Sequence, residues 1–242
     1  MAQVKSHKIV LPGEQVSDLF ENNQNEESNN SEVICLGPGL LQTGDQIQAI
    51  NSGVLRHIPK TNKYWVQGNK RKYTPATGEP VIGVITAKHA EGYRVDIGSA
   101  HQATLPLLAF EGATKRNKPN LSIGALIYAK VSIANKDMDP EIECYNSDTG
   151  KSEGFGELKN GFTIRASLGF CHRLLTSDTP ILSIIGQYLP FEVAIGLNGH
   201  IWVNAGEESH KKTVMIGNAI ENAEHLNHNE CQAMVKELMN RA

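Results

Sequence analysis

The sequence predicts a mainly β chain that ends in an α+β domain, and three observations carry this. Short β-like runs broken by glycine and asparagine reach to about Pro75, alternating strands at close spacing continue to Tyr145, and the hydrophobic period becomes helical after Phe162. At 242 residues the chain has room for one large domain or two to three small ones. The composition shifts divide it into an N-terminal β domain at 1–76, a β-barrel domain at 77–148 and a third domain at 149–242.

In the first domain the strand-like runs are Lys8–Gly13, Glu32–Leu36, Gln46–Ile50, Gly53–Ile58 and Tyr64–Val66, and Leu36-Gly-Pro-Gly39 and Thr43-Gly-Asp45 mark tight turns. The pattern suits a small sandwich or barrel-like unit. Between the first two runs, 21–32 is Asn-rich and holds no apolar residue that could offset the entropy of ordering it, so a disordered insert is expected there.

The second domain opens after Pro75 and Pro80. Val81–Lys88, Gly92–Gly98, Gln102–Leu108, Gly124–Ile133 and Pro140–Tyr145 are five strands at the spacing of an OB-fold barrel, a fold that often binds single strands on one face and also serves as a plain interaction module. In the third domain Phe162–Arg165 reads as a strand. Ser167–Leu175 and Ile181–Tyr188 read as short helices, Phe191–Gly196 and Gly199–Asn204 as a strand pair, and Lys211–Leu226 and Asn229–Arg241 as helices. Strand, two helices, two strands and helix is the order of the KH module.

Charge limits the functional readings. With 23 basic against 26 acidic residues the net is −3, so any contact with nucleic acid must be local rather than a property of the whole surface. The most informative local feature is the loop Phe110–Asn120, where Lys115, Arg116 and Lys118 sit between two apolar strand-like runs and beside Pro119. Such a loop on a small barrel can meet phosphate, and it also reads as a solvated turn. No apolar run is long enough for a membrane span or a secretory leader, so a soluble intracellular protein with no membrane partner is expected. Cys35, Cys144, Cys171 and Cys231 are scattered singly in apolar surroundings and read as buried free thiols.

Enzyme readings find little support. Asp137, Asp139 and Glu141 could in principle hold a divalent ion, but an acidic turn at Asp139-Pro140 explains them without one. His225 and His228 lack a third ligand at a known spacing and read as surface histidines. Neither a nucleophile elbow nor a P-loop is present. No catalytic residue, metal or cofactor is expected.

Three motifs, Phe110–Asn120, Val131–Glu141 and Ile195–Val203, together resemble the cap subunits of the eukaryotic RNA exosome, from about Ile9 to the C-terminal helices. The resemblance implies an N-terminal β domain, an S1-type OB-fold and a KH domain in that order. It further implies a non-catalytic protein that sits on a ring of RNase-PH-like subunits with other cap subunits, and guides single-stranded RNA to associated 3'-5' exoribonucleases. It also implies residence in the nucleus and nucleolus, and in the cytoplasm. The alternative is an assembly clamp with no RNA contact.

Departures from the generic modules matter here. Where a working KH module has its Gly-x-x-Gly phosphate cradle, this chain has Thr176-Ser-Asp-Thr-Pro180. Gly196-Leu-Asn-Gly199 looks like that cradle but sits in a hairpin position, so Asn198 and Gly199 are expected as a two-residue turn. Gly196 is then expected to admit Trp202 as a packing anchor. On the barrel, Arg94 stands where RNA-binding S1 domains carry an aromatic, with Tyr93 beside it. The expected RNA contacts are therefore Lys88, Tyr93, Arg94, Lys115, Arg116, Lys118 and Lys136, each of which also reads as a surface charge or protein contact.

Overall fold

A computed structural model describes residues 5–17, 34–58, 62–68, 70–114, 116–135, 137–147, 149–176, 179–206 and 210–240. The insert expected at 21–32 lies outside the described residues. The chain forms two compact units, Met1–Asn69 and Lys70–Ala242.

The first unit contains β1 (Lys5–Val10), β2 (Cys35–Leu36), β3 (Leu40–Thr43), β4 (Gln46–Ala49), β5 (Gly53–Ile58) and β6 (Lys63–Gln67). Four of them make a sheet ordered β1-β5-β6-β2, and β3 and β4 form a hairpin around Gly44-Asp45. Leu55, Tyr64 and Val66 alternate inward and meet Val10, Val16, Leu40 and Ala49 in one small core. Strand β3 was not expected, and Cys35 is exposed rather than buried.

The second unit starts with a closed barrel. Its strands are β7 (Pro80–Lys88), β8 (Gly92–Asp96), β9 (Ala103–Pro106), β10 (Leu126–Ile133) and β11 (Glu141–Glu143). Their order is β11-β9-β8-β7-β10, and a second pairing of β11 with β10 closes the circle. The β9–β11 pair is parallel while the others are antiparallel, so the five expected strands close as an OB-fold. Inside are Val81, Ile85, Tyr93, Val95, Ile97, Leu105, Ile127, Ala129 and Val131. Two features move the expected domain limits. Tyr73 already belongs to this core, and a short strand β12 (Gly156–Leu158) extends the sheet on β10, beyond residue 148.

The rest of the unit is β13 (Phe162–Arg165), α1 (Leu168–Leu175), α2 (Ile181–Gly186), β14 (Glu192–Ile195), β15 (His200–Asn204), α3 (His210–Asn222) and α4 (His228–Asn240). The sheet is ordered β13-β15-β14 and is antiparallel throughout. Ser167 caps α1, its hydroxyl accepting from the Phe170 N–H at 3.2 Å. Ile164, Ile195, Ile201 and Val203 alternate onto the helices, where Phe170, Leu174, Ile181, Ile185, Ile216 and Ile220 complete the core. The element order expected for a KH module is present.

The opposite face of this sheet covers the barrel. Thr163, Trp202 and Ala194 lie side by side across the three strands, and Trp202 and Ala194 pack on Ile82, Leu126, Tyr128 and Leu158. The hairpin between β14 and β15 locks this contact. Strand β8 pairs with β7 only as far as Val84 opposite Asp96, so the Ile82 N–H and C=O lie beyond the end of that ladder. Asn198 supplies the missing partner. Its Oδ1 accepts from the Ile82 N–H at 3.2 Å, and its Nδ2 donates to the carbonyls of Ile82 at 2.7 Å and Ile97 at 2.9 Å. One amide side chain thus stands in for a strand residue.

Two sequence expectations are corrected here. The hairpin is a three-residue loop, not a two-residue turn: Gly196 N–H bonds His200 C=O at 2.8 Å, Gly199 N–H bonds Gly196 C=O at 3.3 Å, and Gly199 takes φ +84°. Asn198 keeps negative φ, which leaves its amide pointing at the barrel. Gly196 does not make room for Trp202. A Cβ there would lie 2.8 Å from the Ile82 backbone nitrogen, whereas a Cβ at Gly161 would overlap the Trp202 indole.

Asn198→Ala would orphan three buried backbone groups, and we expect a loss of about 2–5 kcal/mol in denaturant unfolding of the full chain. Trp202→Arg should cost several kcal/mol through an unpaired charge and a void, of the order of 3–5 for the void alone. An unchanged unfolding midpoint in either variant would refute the joint described here. Gly161→Ala tests the same site by steric overlap, and a melting temperature equal to that of the parent would show that the indole can shift aside.

Candidate nucleic-acid interface

The outer end of the barrel is built where β7 finishes and β8 begins. A register shift between Ile85 and Ala87 re-aims the end of β7, bringing Lys88 opposite Tyr93 and Ala87 opposite Arg94. The long β9–β10 connection crosses the same end. Its first half is tied down where Phe110 bridges to Cys144 and the Cys144 N–H bonds the Ala109 carbonyl at 2.8 Å. Its tip closes as a tight turn. Thr114 N–H bonds the Asn117 carbonyl at 3.0 Å, and Asn117 N–H bonds Thr114 Oγ1 at 3.1 Å. Arg116 therefore projects from the tip, and both Arg116 and Lys118 are exposed.

The other expected contacts are distributed unevenly. Lys115 and Lys136 lie outside the described residues. Lys88 is exposed, donates to Asn120 Oδ1 and sits 5.7 Å from the Tyr93 ring centroid. Arg94 projects outward but is paired, with Nη1 2.7 Å from Asp139 Oδ2. That hydrogen bond, aided by the charges of Arg94 and His101, holds the Asp139 carboxyl below its usual range. Lys88, Arg94, Arg116 and Lys118 thus belong to one barrel module. Its Arg94 is offered to a ligand only by exchange with Asp139.

Tyr93 corrects the sequence reading. It is 0% exposed, and its ring fills the barrel core where no base could stack on it. The signal was present in the period of two. Tyr93, Val95 and Ile97 share the apolar phase of β8 while Arg94 and Asp96 take the other, so Arg94 alone of the neighbouring pair faces outward. The Tyr93 hydroxyl donates to the Pro119 carbonyl at 2.7 Å and accepts from the Leu121 N–H at 3.1 Å. No spacing rule in the sequence indicates that pair of hydrogen bonds, because they join β8 to the β9–β10 connection.

The acidic turn does not assemble a metal centre: among the described residues no three His, Cys, Asp or Glu side chains converge. His225 and His228 are exposed, as expected. Cys144 and Cys171 are buried, and burial first of all pushes each thiol up to about 12. In the third domain Ser177 and Asp178 lie outside the described residues, and Thr176 turns its hydroxyl onto the His172 carbonyl at 3.0 Å. Gly196–Gly199, the only stretch resembling a phosphate cradle among the described residues, is consumed in the barrel contact. No described helix is long and apolar enough to cross a membrane.

Sequence profiles of three described domains match in series. They are the Rrp40 exonuclease N-terminal domain of the exosome complex at 34–71, the S1 domain of exosome complex component RRP40 at 73–156, and a KH domain at 161–209. The exosome complex component rrp40 of Schizosaccharomyces pombe is 40% identical over 250 residues, covering 98% of this chain and 100% of that protein. Exosome complex component RRP40 of Drosophila melanogaster is 42% identical over 212 residues, covering 88% and 87%. The human RRP40 is 40% identical over 200 residues, covering 80% and 71%. A crystal structure described as an exosome-complex RNA-binding protein superimposes with a TM-score of 0.57 over 71% of this chain and 99% of the other. At 20% identity that likeness speaks to the fold. Identity along nearly the whole length, with the three domains in the same order, shows that the chain belongs to the Rrp40 family of exosome complex components.

Proposed function

We propose that this chain is a non-catalytic cap subunit of an RNA exosome, seated on a ring of RNase-PH-like subunits beside other cap subunits. It guides single-stranded RNA toward associated 3'-5' exoribonucleases, and it works in the nucleus, nucleolus and cytoplasm. The observation that carries RNA contact is the exposed Arg116 and Lys118 on a loop tied to the barrel end that also bears Lys88 and Arg94. A net charge of −3 concentrates the attraction for phosphate at such local groups. Because Tyr93 is buried, contact runs through cations rather than an aromatic platform, which favours weak and sequence-tolerant binding. The Arg94–Asp139 pair favours a second reading, in which these cations meet acidic side chains of a neighbouring subunit and the chain is a clamp without RNA contact.

Ultraviolet crosslinking of single-stranded RNA to the assembled complex separates the two readings, comparing the parent with a variant in which Lys115, Arg116 and Lys118 are all Glu. At matched assembly we expect crosslinks to this subunit to disappear. The salt slope of RNA binding should also flatten, by about 0.7 for each phosphate that is no longer neutralised. Retained crosslinks with intact assembly would refute RNA contact by the loop, and failed assembly would favour the clamp. A fluorescent fusion absent from the nucleolus would refute that part of the localisation.

A further inference from the structure

We propose that Tyr93 is a positioning residue for RNA contact, fixing the basic loop through its buried hydroxyl, with Asn120 as its surface partner. This rests on the reading that the loop touches RNA, and it adds the residues that shape the contact.

The loop exit is restrained at four consecutive positions. Lys118 precedes Pro119, and the proline ring confines the backbone of the residue before it to extended conformations. Pro119 has its own φ fixed by the ring, and its carbonyl is held at 2.7 Å by the Tyr93 hydroxyl. Asn120 accepts from Lys88 Nζ. Leu121 is 7% exposed and its N–H is held at 3.1 Å by the same Tyr93 oxygen. A phenol supplies one donor and an acceptor, and both are used on the same short segment. A tyrosine needed only for packing would place its hydroxyl at any nearby polar group. Here it brackets Asn120 from both sides, directly after the last cation of the loop.

The functional consequence follows from preorganisation. Lysine and arginine side chains lose much rotamer freedom on binding phosphate, so a backbone that is already fixed reduces what must be ordered. Lys88 joins the same arrangement. Its ammonium lies near the Tyr93 ring and on Asn120, so its charge is held beside the loop exit. Removing the hydroxyl while keeping the ring therefore acts on the loop cations without touching them.

The test is a double-mutant cycle on the assembled complex, measuring affinity for a 30-nucleotide polyuridine (an oligomer of about that length supplies ample phosphates). The proteins are the parent, Tyr93→Phe, Arg116→Ala with Lys118→Ala, and the combination. We expect Tyr93→Phe to weaken binding about threefold or more and to flatten the salt slope, but to have little further effect once the two cations are gone. Asn120→Ala, at an exposed position, should act in the same direction and carries the cycle if Tyr93→Phe fails to fold. An equal loss from Tyr93→Phe in both backgrounds would mean a general structural effect and would overturn the proposal. So would parent-like affinity of Tyr93→Phe and Asn120→Ala alongside a weakened cation variant. If the cation variant itself binds like the parent, the RNA reading of the loop fails and this inference falls with it.

Discussion

The Asn198 amide is the constraint on which the larger compact unit depends. A barrel strand that outruns its neighbour exposes a backbone donor and acceptor, and burying these under a second domain is unfavourable unless something replaces the ladder. Asn198 does so from a hairpin loop far along the chain, and it caps the Ile97 carbonyl as well. Leu197 N–H adds a bond to the Pro80 carbonyl at 2.8 Å, so the hairpin engages the start of β7 at two successive residues. With those polar groups satisfied, Trp202 and Ala194 can bury apolar surface on Ile82 and Tyr128. The hydrogen bonds set the register of the joint, and the indole packs among the apolar side chains beside them.

This joint engages the third domain through its sheet and hairpin, whereas the cradle position of a KH module falls between α1 and α2, where this chain reads Thr176-Ser-Asp-Thr-Pro180. A sheet has two faces. Here one face is covered by helices and the other lies against the barrel, where Gly196 approaches the Ile82 backbone too closely for a side chain and the Asn198 amide fills the contact. The cations exposed on the barrel then remain the candidates for phosphate contact. Arg94 illustrates the balance, since its exposed pair with Asp139 is of the kind worth little in water. A phosphate of higher charge density could take the guanidinium at small cost.

Much of the architecture was legible in the sequence because it rests on periodicity. Gly53–Ile58 forms β5 with the expected limits, and the five barrel strands expected from their number and spacing are present. The elements that were missed have no period to read. Leu40–Thr43 buries only Leu40, and Gly156–Leu158 is a strand because the free edge of β10 offers it a ladder. The site was legible by charge and not by geometry. Arg116, Lys118, Lys88 and Arg94 stand out as cations, but their partners Asn120 and Asp139 lie on other elements, and Tyr93 was misplaced by adjacency to Arg94 although its phase puts it inside. Trp202 is likewise expected against the nearby Gly196, whereas strand pairing sets it opposite Thr163 and its indole lies over Gly161, just before β13.

Weak individual contacts are compatible with effective guidance once the chain is held in an assembly. A free protein of net charge −3 with a few exposed cations would attract RNA poorly. On the proposed ring, neighbouring subunits would supply further contacts, and each segment of RNA would meet the next site at high effective concentration rather than from bulk solution. Under that arrangement affinity at any one subunit is less important than the direction its cations face. Rigid placement is what this barrel end provides: a closed turn at Arg116, a proline after Lys118 and a buried phenol bonded to Pro119 and Leu121, on a barrel joined to its neighbour through Asn198. On the proposed reading, contacts that are fixed in space and individually loose would hold a strand on course while allowing it to slide, because no base would be gripped by shape.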